Sequence, residues 1–600
     1  MKLSHFLAQA LQHLGVTHVF GVQGGAVVHL FDSLHTQTKI KVCYTHHEQS
    51  AALAAVSHSK LTGRLGICIT TTGPAASNAL TGLLAAWQDS TPVLFISGQT
   101  RLSQTSYGLK VRQKGSQECN ILDVVKPWAK YTALVRHQSE LTSIINKAYF
   151  TAIEGRPGPV WIDLPVDLQW SELDTATEYI VPDIKSNLNW KNHMDPVFDA
   201  IFSSKKPLFV LGRISYNKDI IKKFLSNLKY LEIPIASTWG SATISKGVCT
   251  SSGMIGVSGQ PSANYAVRAS NYVVFLGCHF SVTQSGNSYK PLTDNQAFVF
   301  VNIDSNQLNN VECPVHATML NIDANIFMQK FLDYVKVNEF SLLSENRKPW
   351  VEHIEFISES LAPHAAAELL TDDEWLNPHH FLCSLYSRLE QNDLVVIDGG
   401  GCALYAGFQC LPRDAHFLVA CSTSISAMGT GLPELCGAGI ANNAESLNIC
   451  LIGDGSLMFN LQELQTIKTN LDSSVILVLN NSGYLAIRHT QGLFLGNRYF
   501  GTSGNDYGID IPPIPAIANC FNYDHIALTK NDQVDICVEK IIASRGCKNH
   551  LIIELVVSPD HTNLFTASFS KVDDDNNSFQ QDLHLMKPFE AFEFNSPLGL

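Results

Sequence analysis

The feature that most restricts this chain is an alternation. Short runs that are apolar throughout and rich in β-branched residues are separated by longer segments with helical spacing. The runs are THVFGV, LGICITT, PVLFISG and GPVWIDLP in the first third, PLFVLG, YVVFLG and FVFVNID in the middle, and LVVIDGG, LNICLIGDG, SVILVLNN and HLIIELVV in the last. A strand with no polar face must be covered on both sides, which calls for a parallel sheet flanked by helices. The predicted class is α/β, with three doubly wound parallel sheets. Six hundred residues, 45% hydrophobic and 16% charged, supply apolar material for several cores and exclude disordered and fibrous classes.

The formal charge of −13 disfavours nucleic acid or an anionic membrane as the main partner and leaves a small metabolite. The 15 cysteines contain no C-x-x-C pair, and Cys68, Cys278 and Cys450 sit inside apolar runs, so they read as buried thiols in a reducing compartment. The opening residues lack a signal-peptide core and read as an amphipathic helix running into a strand. No stretch reaches the roughly 18 apolar residues that a spanning helix needs. A cytoplasmic, soluble protein is expected.

Polar stretches without a clear period, 168–198 and 338–374, read as connections. The expected units are therefore 1–167, 199–337 and 375–560, followed by an extension, 561–600, lying over the surface or partly disordered. The first and third units are candidates for two copies of one nucleotide-binding-like plan.

The most specific local feature is LNICLIGDGSLMFNLQELQTIKTNLDSSVILVLNNSGYLAIR. A buried strand ends at Gly453-Asp454-Gly455-Ser456, a helix is predicted through Gln462–Thr469 and a second strand through Val475–Leu479, stopped by Asn480-Asn481-Ser482-Gly483. Open α/β sheets hold ligands at the carboxyl ends of their strands, so Asp454 and Asn481 are expected to be neighbours there. With a turn carbonyl near Gly483 they form a hard-oxygen set suited to Mg²⁺ held together with a diphosphate. Gly455 and Ser456 would open the helix, whose free N–H groups suit the same phosphates. Each motif alone is a common turn; the strand, helix and strand between them argue against coincidence.

GDG followed by NN resembles the diphosphate and metal motif of thiamine diphosphate enzymes, with Asp454, Asn481 and the carbonyl of Gly483 matching its metal ligands. The resemblance implies thiamine diphosphate and Mg²⁺ as cofactors. It further implies that Glu48, in YTHHEQSAALAAVS, hydrogen-bonds N1′ of the aminopyrimidine and promotes its imino form. His46 and His47 have no further ligand at metal spacing and read as strand-end residues.

Along nearly the whole chain the resemblance is to acetolactate synthase (acetohydroxyacid synthase) catalytic subunits. Gly24-Gly25-Ala26, Gly73-Pro74 with Asn78, and Ser97-Gly98-Gln99 fall in the N-terminal pattern of that family. Gly253–Val267, GMIGVSGQPSANYAV, resembles the middle-domain motif that contacts FAD. SAMGTGLPELCGAGIA resembles the segment below the cofactor, where the carbonyl of Ser426 would meet the aminopyrimidine and Met428 would prop the cofactor into its V shape. Gly401, Cys402, Gly455, Ser456 and Tyr484 fall on the diphosphate side. Gln117 matches a glutamine near the reacting carbon. Leu109–Asn120 contains no His, unlike pyruvate decarboxylases, which favours carbon–carbon bond formation over aldehyde release.

The chain also departs from the synthases. Asp398-Gly399-Gly400-Gly401-Cys402-Ala403 stands where they have Gly-x-Gly-Gln-His, which keeps backbone donors and drops two side chains. Tyr484–Gln491 replaces a Met/Gln/Trp segment, with Thr490 at the Trp position. Arg488 and His489 in it are candidates for binding a polar or phosphorylated acceptor. NNSGYLAIRHTQ followed by GNRYFGTSG resembles acetolactate-synthase-like proteins of polysaccharide and nucleotide-sugar metabolism. His279 stands where the synthases place an arginine near the FAD pyrophosphate, so FAD, if bound, would be structural.

The expected activity is decarboxylation of pyruvate or a similar 2-oxo acid with transfer to a second carbonyl. The acceptor is another 2-oxo acid or, as the alternative, a nucleotide-linked keto-sugar. The resemblance implies a homodimer or homotetramer with active sites at the subunit interface. A silent cofactor-binding scaffold is opposed by the intact Glu48 and Asp454. An NAD-dependent dehydrogenase is opposed by the lack of a helix-opening G-x-G-x-x-G after the first strand.

Overall fold

The computed structural model describes residues 1–173, 194–214, 217–279, 281, 284, 296–311, 317–338, 347–370, 374–503, 508–573 and 578–588. Three six-stranded sheets follow one another along the chain. The first contains β1 (His18–Gly21), β2 (Lys41–Tyr44), β3 (Gly66–Thr70), β4 (Val93–Gln99), β5 (Tyr131–Leu134) and β6 (Val160–Pro165). The second contains β7 (Pro207–Leu211), β8 (Ile235–Ser237), β9 (Ser251–Met254), β10 (Tyr272–Leu276), β11 (Ala297–Val301) and β12 (Ala317–Leu320). The third contains β13 (Leu394–Ile397), β14 (Leu418–Ala420), β15 (Asn448–Gly453), β16 (Ser474–Asn480), β17 (Asp524–Leu528) and β18 (His550–Val556). Every pairing inside these sheets is parallel.

The spatial orders are β2-β1-β3-β4-β6-β5, β12-β11-β10-β7-β8-β9 and β14-β13-β15-β16-β18-β17. The first and third sheets therefore share one arrangement. The middle sheet, read from β9, has the doubly wound order of dinucleotide-binding folds. Each apolar run of the sequence forms a strand in the interior of its sheet, where both faces are covered.

The helix Glu48–Thr62 follows β2, and the helix Gly431–Ala441 follows β14 at the matching place of the third sheet. These two helices pack against each other, and Ser57 Oγ donates to the carbonyl of Glu434 at 2.7 Å. A methyl group at Gly437 would lie 1.9 Å from the carbonyl oxygen of Ala54, so only glycine permits this approach. One continuous core results, running from Phe20, Val56 and Phe95 to Leu432, Leu435 and Ile476. A buried ion pair borders it: Lys60 Nζ lies 2.5 Å from Asp89 Oδ2 and also donates to the carbonyl of Cys421 at 2.9 Å.

Two stretches differ from expectation. Within 338–374 lies the helix Lys348–Ser360, which buries Trp350, Ile354 and Ile357, with Trp350 and Ile354 packed in the core of the second sheet. Its apolar stripe is only three residues deep in a polar segment, so composition masked the helical period. Buried Arg347 anchors its start by donating to the carbonyls of Ser204 at 3.1 Å, Leu231 at 3.1 Å and Phe202 at 2.6 Å. The extension carries an antiparallel pair, β19 (Thr566–Asp573) and β20 (Ser578–Lys587), whose Met586 is buried in the core of the third unit. Residues 174–193 of the first expected connection, Cys313 and residues 589–600 lie outside the described residues. The described cysteines are free thiols. Among the described residues no helix is long and apolar enough to cross a membrane.

Candidate active site

The carboxyl ends of β15 and β16 build one half of the site. Asp454 is 1% exposed; its Oδ1 accepts from Gly455 N at 2.7 Å and its Oδ2 from Gly483 N at 2.9 Å. The two polar turns are thereby tied together, as their spacing led one to expect. Asn481 beside them is 2% exposed, and among the described residues its Oδ1 has no hydrogen-bond partner. Tyr484 N donates to the carbonyl of Thr502 at 2.7 Å, and Gly483 bridges to Ser503, which closes the turn from the far side.

Burial pushes the Asp454 carboxyl up to about 6, against the pull of the Gly455 and Gly483 N–H groups. A buried, partnerless amide oxygen costs about 1–3 kcal/mol unless something takes it. A buried carboxylate next to such an oxygen fits a hard divalent cation, which would satisfy the amide and favour the ionised acid.

Arg488 is not open to a substrate. It is buried, and its guanidinium donates to the carbonyls of Asn481 at 2.9 Å, Ser482 at 3.4 Å and Pro559. Its geometry is that of a clamp on the Asn481–Gly483 turn, whereas His489 on the next position is exposed.

The end of β13 supplies the adjoining loop. Buried Asp398 accepts from Gly400 N at 2.8 Å and Gly431 N at 2.9 Å, and Gly399 N donates to Thr430 Oγ1 at 3.1 Å. This folds Gly400-Gly401-Cys402 over the Ser426–Thr430 segment, so that a side chain at Gly400 would strike Ser456 Oγ and one at Gly455 would strike the Tyr484 ring. Gly401, Cys402, Met428, Gly455, Ser456 and Tyr484 thus gather at one sheet edge. Burial, with the nearby Asp454 charge, pushes the Cys402 thiol up to about 12, so it is a neutral lining group. Asp398 was not singled out from sequence, although an Asp closing an apolar run before glycines is the same signal as in GDG. Gly455 and Ser456 open a single turn, Asp454–Leu457, and not the Glu463–Asn470 helix as expected. Asn460 intervenes, donating to the carbonyl of Gly429 at 2.8 Å and accepting from Ser50 Oγ at 3.0 Å.

The first sheet supplies the other half. His47 Nδ1 accepts from Gln49 N at 3.1 Å and caps the helix that Glu48 begins. Glu48 is half-buried, and its Oε2 accepts from Asn78 Nδ2 at 3.0 Å. His46 N donates to the buried Glu463 carboxylate at 3.2 Å. Gly24 backs onto Thr71, whose Oγ1 accepts from Ala26 N at 3.2 Å, while Gly25 faces open space. Gln117 is exposed with φ +57°. Among the described residues no hydrogen bond joins Glu48 or Gln117 to Asp454, Asn481 or Gly483.

Models of thiamine pyrophosphate enzymes match the chain in three places: the N-terminal TPP binding domain over residues 1–124, the central domain over 194–330 and the C-terminal TPP binding domain over 399–549. The chain belongs to the thiamine pyrophosphate enzyme family. Glu48, Asn78 and Gln117 lie inside the first match, and the Gly401, Asp454 and Asn481 turns lie inside the last. This thiamine pyrophosphate enzyme is 28% identical over 520 residues to a probable acetolactate synthase large subunit of Methanococcus aeolicus, covering 83% of each chain. It is 27% identical over 567 residues to the acetolactate synthase isozyme 2 large subunit of Escherichia coli, covering 91% of this chain and 94% of that one. It is 26% identical over 579 residues to an acetolactate synthase of Arthrospira platensis, covering 92% and 94%.

The motif that resembles an FAD contact is held by internal hydrogen bonds. In the Gly253–Val267 motif, Gln260 Nε2 donates to the carbonyl of Leu411 at 2.7 Å and Asn264 brackets the backbone of Gly256. Among the described residues, Gln260 and Asn264 are thus engaged with the protein's own backbone.

Proposed function

We propose that the protein is an Mg²⁺- and thiamine diphosphate-dependent carboligase. It decarboxylates pyruvate or a similar 2-oxo acid and transfers the remaining acyl unit to a second carbonyl, as in acetolactate synthesis. The single observation that carries this reading is the buried Asp454 interlocked with Gly483 beside the partnerless Oδ1 of Asn481. Asp454, Asn481 and the Gly483 carbonyl would hold Mg²⁺. The backbone around Gly401, Cys402, Gly455, Ser456 and Tyr484 would hold the diphosphate. Gly24, Gly25, Gly73, Asn78, the Ser426 carbonyl and Met428 would border the pyrimidine half.

When bound, thiamine diphosphate supplies a nucleophilic carbon and an electron sink for loss of CO₂. Glu48 holds a proton at N1′ of the pyrimidine, with its carboxylate aimed by Asn78. Gln117 offers a neutral amide to the 2-oxo acid and its acceptor without adding charge. Arg488 keeps the metal turn in shape from behind. No step is routed through FAD; flavin absorbance of the purified protein tests whether any is carried.

A second reading, transfer to a nucleotide-linked keto-sugar, is favoured by the segment after the metal turn, where exposed Thr490 stands at the position of the synthases' tryptophan beside exposed His489. We assign a homodimer or homotetramer, with Glu48 of one chain facing Asp454 of another. The exposed apolar side chains of Leu493, Phe494 and Phe500 near that turn support a protein-covered face. The test is mass spectrometry of products from pyruvate alone and from pyruvate with candidate keto-sugars. Acetolactate as the main product upholds the first reading. A sugar adduct with only traces of acetolactate replaces it by the second, and no pyruvate consumption defeats both.

A further inference from the structure

The loop that carries Gln117 is built around a buried carboxylate that the proposed mechanism does not use. Glu118 is 4% exposed; its Oε1 accepts from Ser106 N at 3.0 Å and Ser106 Oγ at 2.7 Å, and its Oε2 from Lys114 N at 3.0 Å. Among the described residues no Lys or Arg forms an ion pair with it, and Lys114 Nζ donates instead to the carbonyl of Ser103 at 2.6 Å. Its charge is held by N–H and O–H donors alone, from both ends of the loop. The base of the loop is fastened separately: Tyr107 OH donates to Asp163 Oδ2 at 2.9 Å, and Gln99 Nε2 donates to the same oxygen and to the carbonyl of Cys119, each at 3.0 Å.

This clasp has a direct mechanical consequence for Gln117. Its backbone sits at φ +57°, a left-handed conformation that a non-glycine residue keeps only when its surroundings impose it. Its carbonyl presses on Gly73, where a methyl group would come within 1.8 Å of that oxygen. Gly73, itself at φ +63°, begins the short helix Pro74–Asn78, and Asn78 Nδ2 holds Glu48 Oε2 at 3.0 Å. Glu118, Gln117, Gly73, Asn78 and Glu48 are therefore consecutive members of one contact path.

We propose that Glu118 is a positioning residue: it folds the 106–118 loop so that Gln117 and the Glu48–Asn78 pair are presented to the substrate as a single body. The proposal rests on the reading of Gln117 as the amide that meets the 2-oxo acid. An amide in place of the carboxylate keeps one acceptor oxygen and turns its NH2 against the N–H groups on the other side, Ser106 or Lys114, which opens one side of the clasp.

The test uses the full chain with Glu118→Gln and, as a milder change, Ser106→Ala, which removes one of the three donors. With thiamine diphosphate and Mg²⁺ present, Glu118→Gln is expected to raise KM for pyruvate about tenfold with kcat within about threefold. Thermal midpoint and cofactor affinity stay at wild-type values, and Ser106→Ala shifts KM less in the same direction. Amide hydrogen exchange of the cofactor-free protein is expected to quicken in peptides covering 106–118 and 73–78, with the remainder unchanged. Wild-type exchange in 73–78, or a loss of kcat and thermal midpoint together with KM unmoved, overturns the proposal. If the wild type does not consume pyruvate, the functional reading fails, and the exchange result alone then decides whether the contact path exists.

Discussion

The first and third sheets have the same strand order and the same packed helix after their second strand, yet their carboxyl edges are opposite in chemistry. The third edge is a cage: Asp398, Asp454 and Asn481 are buried, and their oxygens are met by backbone N–H groups or left waiting for a partner. The first edge is open: Glu48 is half-buried, and Asn78 and Gln117 are exposed. One plan carries a closed polar cage at one edge and an accessible acid at the other. The difference teaches that such a sheet sets where a site can be, while the few turn residues at its edge decide what the site does.

The largest effect that would break this comparison comes from emptying the cage. Asp454→Ala is expected to lower Mg²⁺-dependent affinity for thiamine diphosphate by at least ~100-fold, as isothermal titration would read. Retained affinity would show that the third edge is no cofactor holder. Next, Glu48→Gln should cut CO₂ release from pyruvate by ~10²–10³ at saturating cofactor while leaving cofactor affinity within a few-fold. A wild-type rate would remove the acid from the mechanism.

The helix pair that joins the two sheets sharpens the comparison further. Gly437→Ala forces a methyl against the Ala54 carbonyl and is expected to cost about 1–3 kcal/mol, seen as a lower thermal midpoint. On the same helix, Glu434 is buried, and burial pushes its carboxyl up to about 7, partly offset by the Lys60 charge and by Ser422. A folded value above the unfolded one contributes stability at low pH that is lost as pH rises through about 7. His58 and His379, lowered by burial to about 4, act in the opposite sense but only below their ordinary range. The Glu434 contribution is therefore lost between about pH 4.5 and 7, where the two histidines oppose it, so the advantage of Glu434→Gln over the wild type should grow across that window and level off above pH 7 at about 2–3 kcal/mol. An advantage that does not change with pH would mean that the charge is relieved elsewhere.

How much of this was legible in the sequence follows from position in the sheets. The continuous apolar runs are interior strands, because only there do both faces need covering. The strands missed, such as β5, β12, β14 and β17, are sheet edges with half-exposed faces, and β8 is only three residues long. The cage was legible because Asp454 and Asn481 each end an apolar run. Asp398 carried the same signal and was passed over because its glycines departed from the family pattern. Arg488 read as a substrate ligand because a charged residue after a motif suggests one; burial in a backbone clamp has no sequence signature. Glu118 was invisible for a similar reason, since its partners are main-chain groups contributed by loop geometry.

The central claim is that the acid edge of one chain and the cage of another make one active site. Mixing Glu48→Gln and Asp454→Ala proteins, each inactive alone, and allowing subunits to exchange tests it most directly. A mixed dimer would contain one site with both lesions and one with neither, so CO₂ release from pyruvate should recover to about a quarter of the wild-type rate in an equimolar mixture. A mixture that stays inactive while mass spectrometry records mixed dimers would contradict the account and put both edges of the site in a single chain.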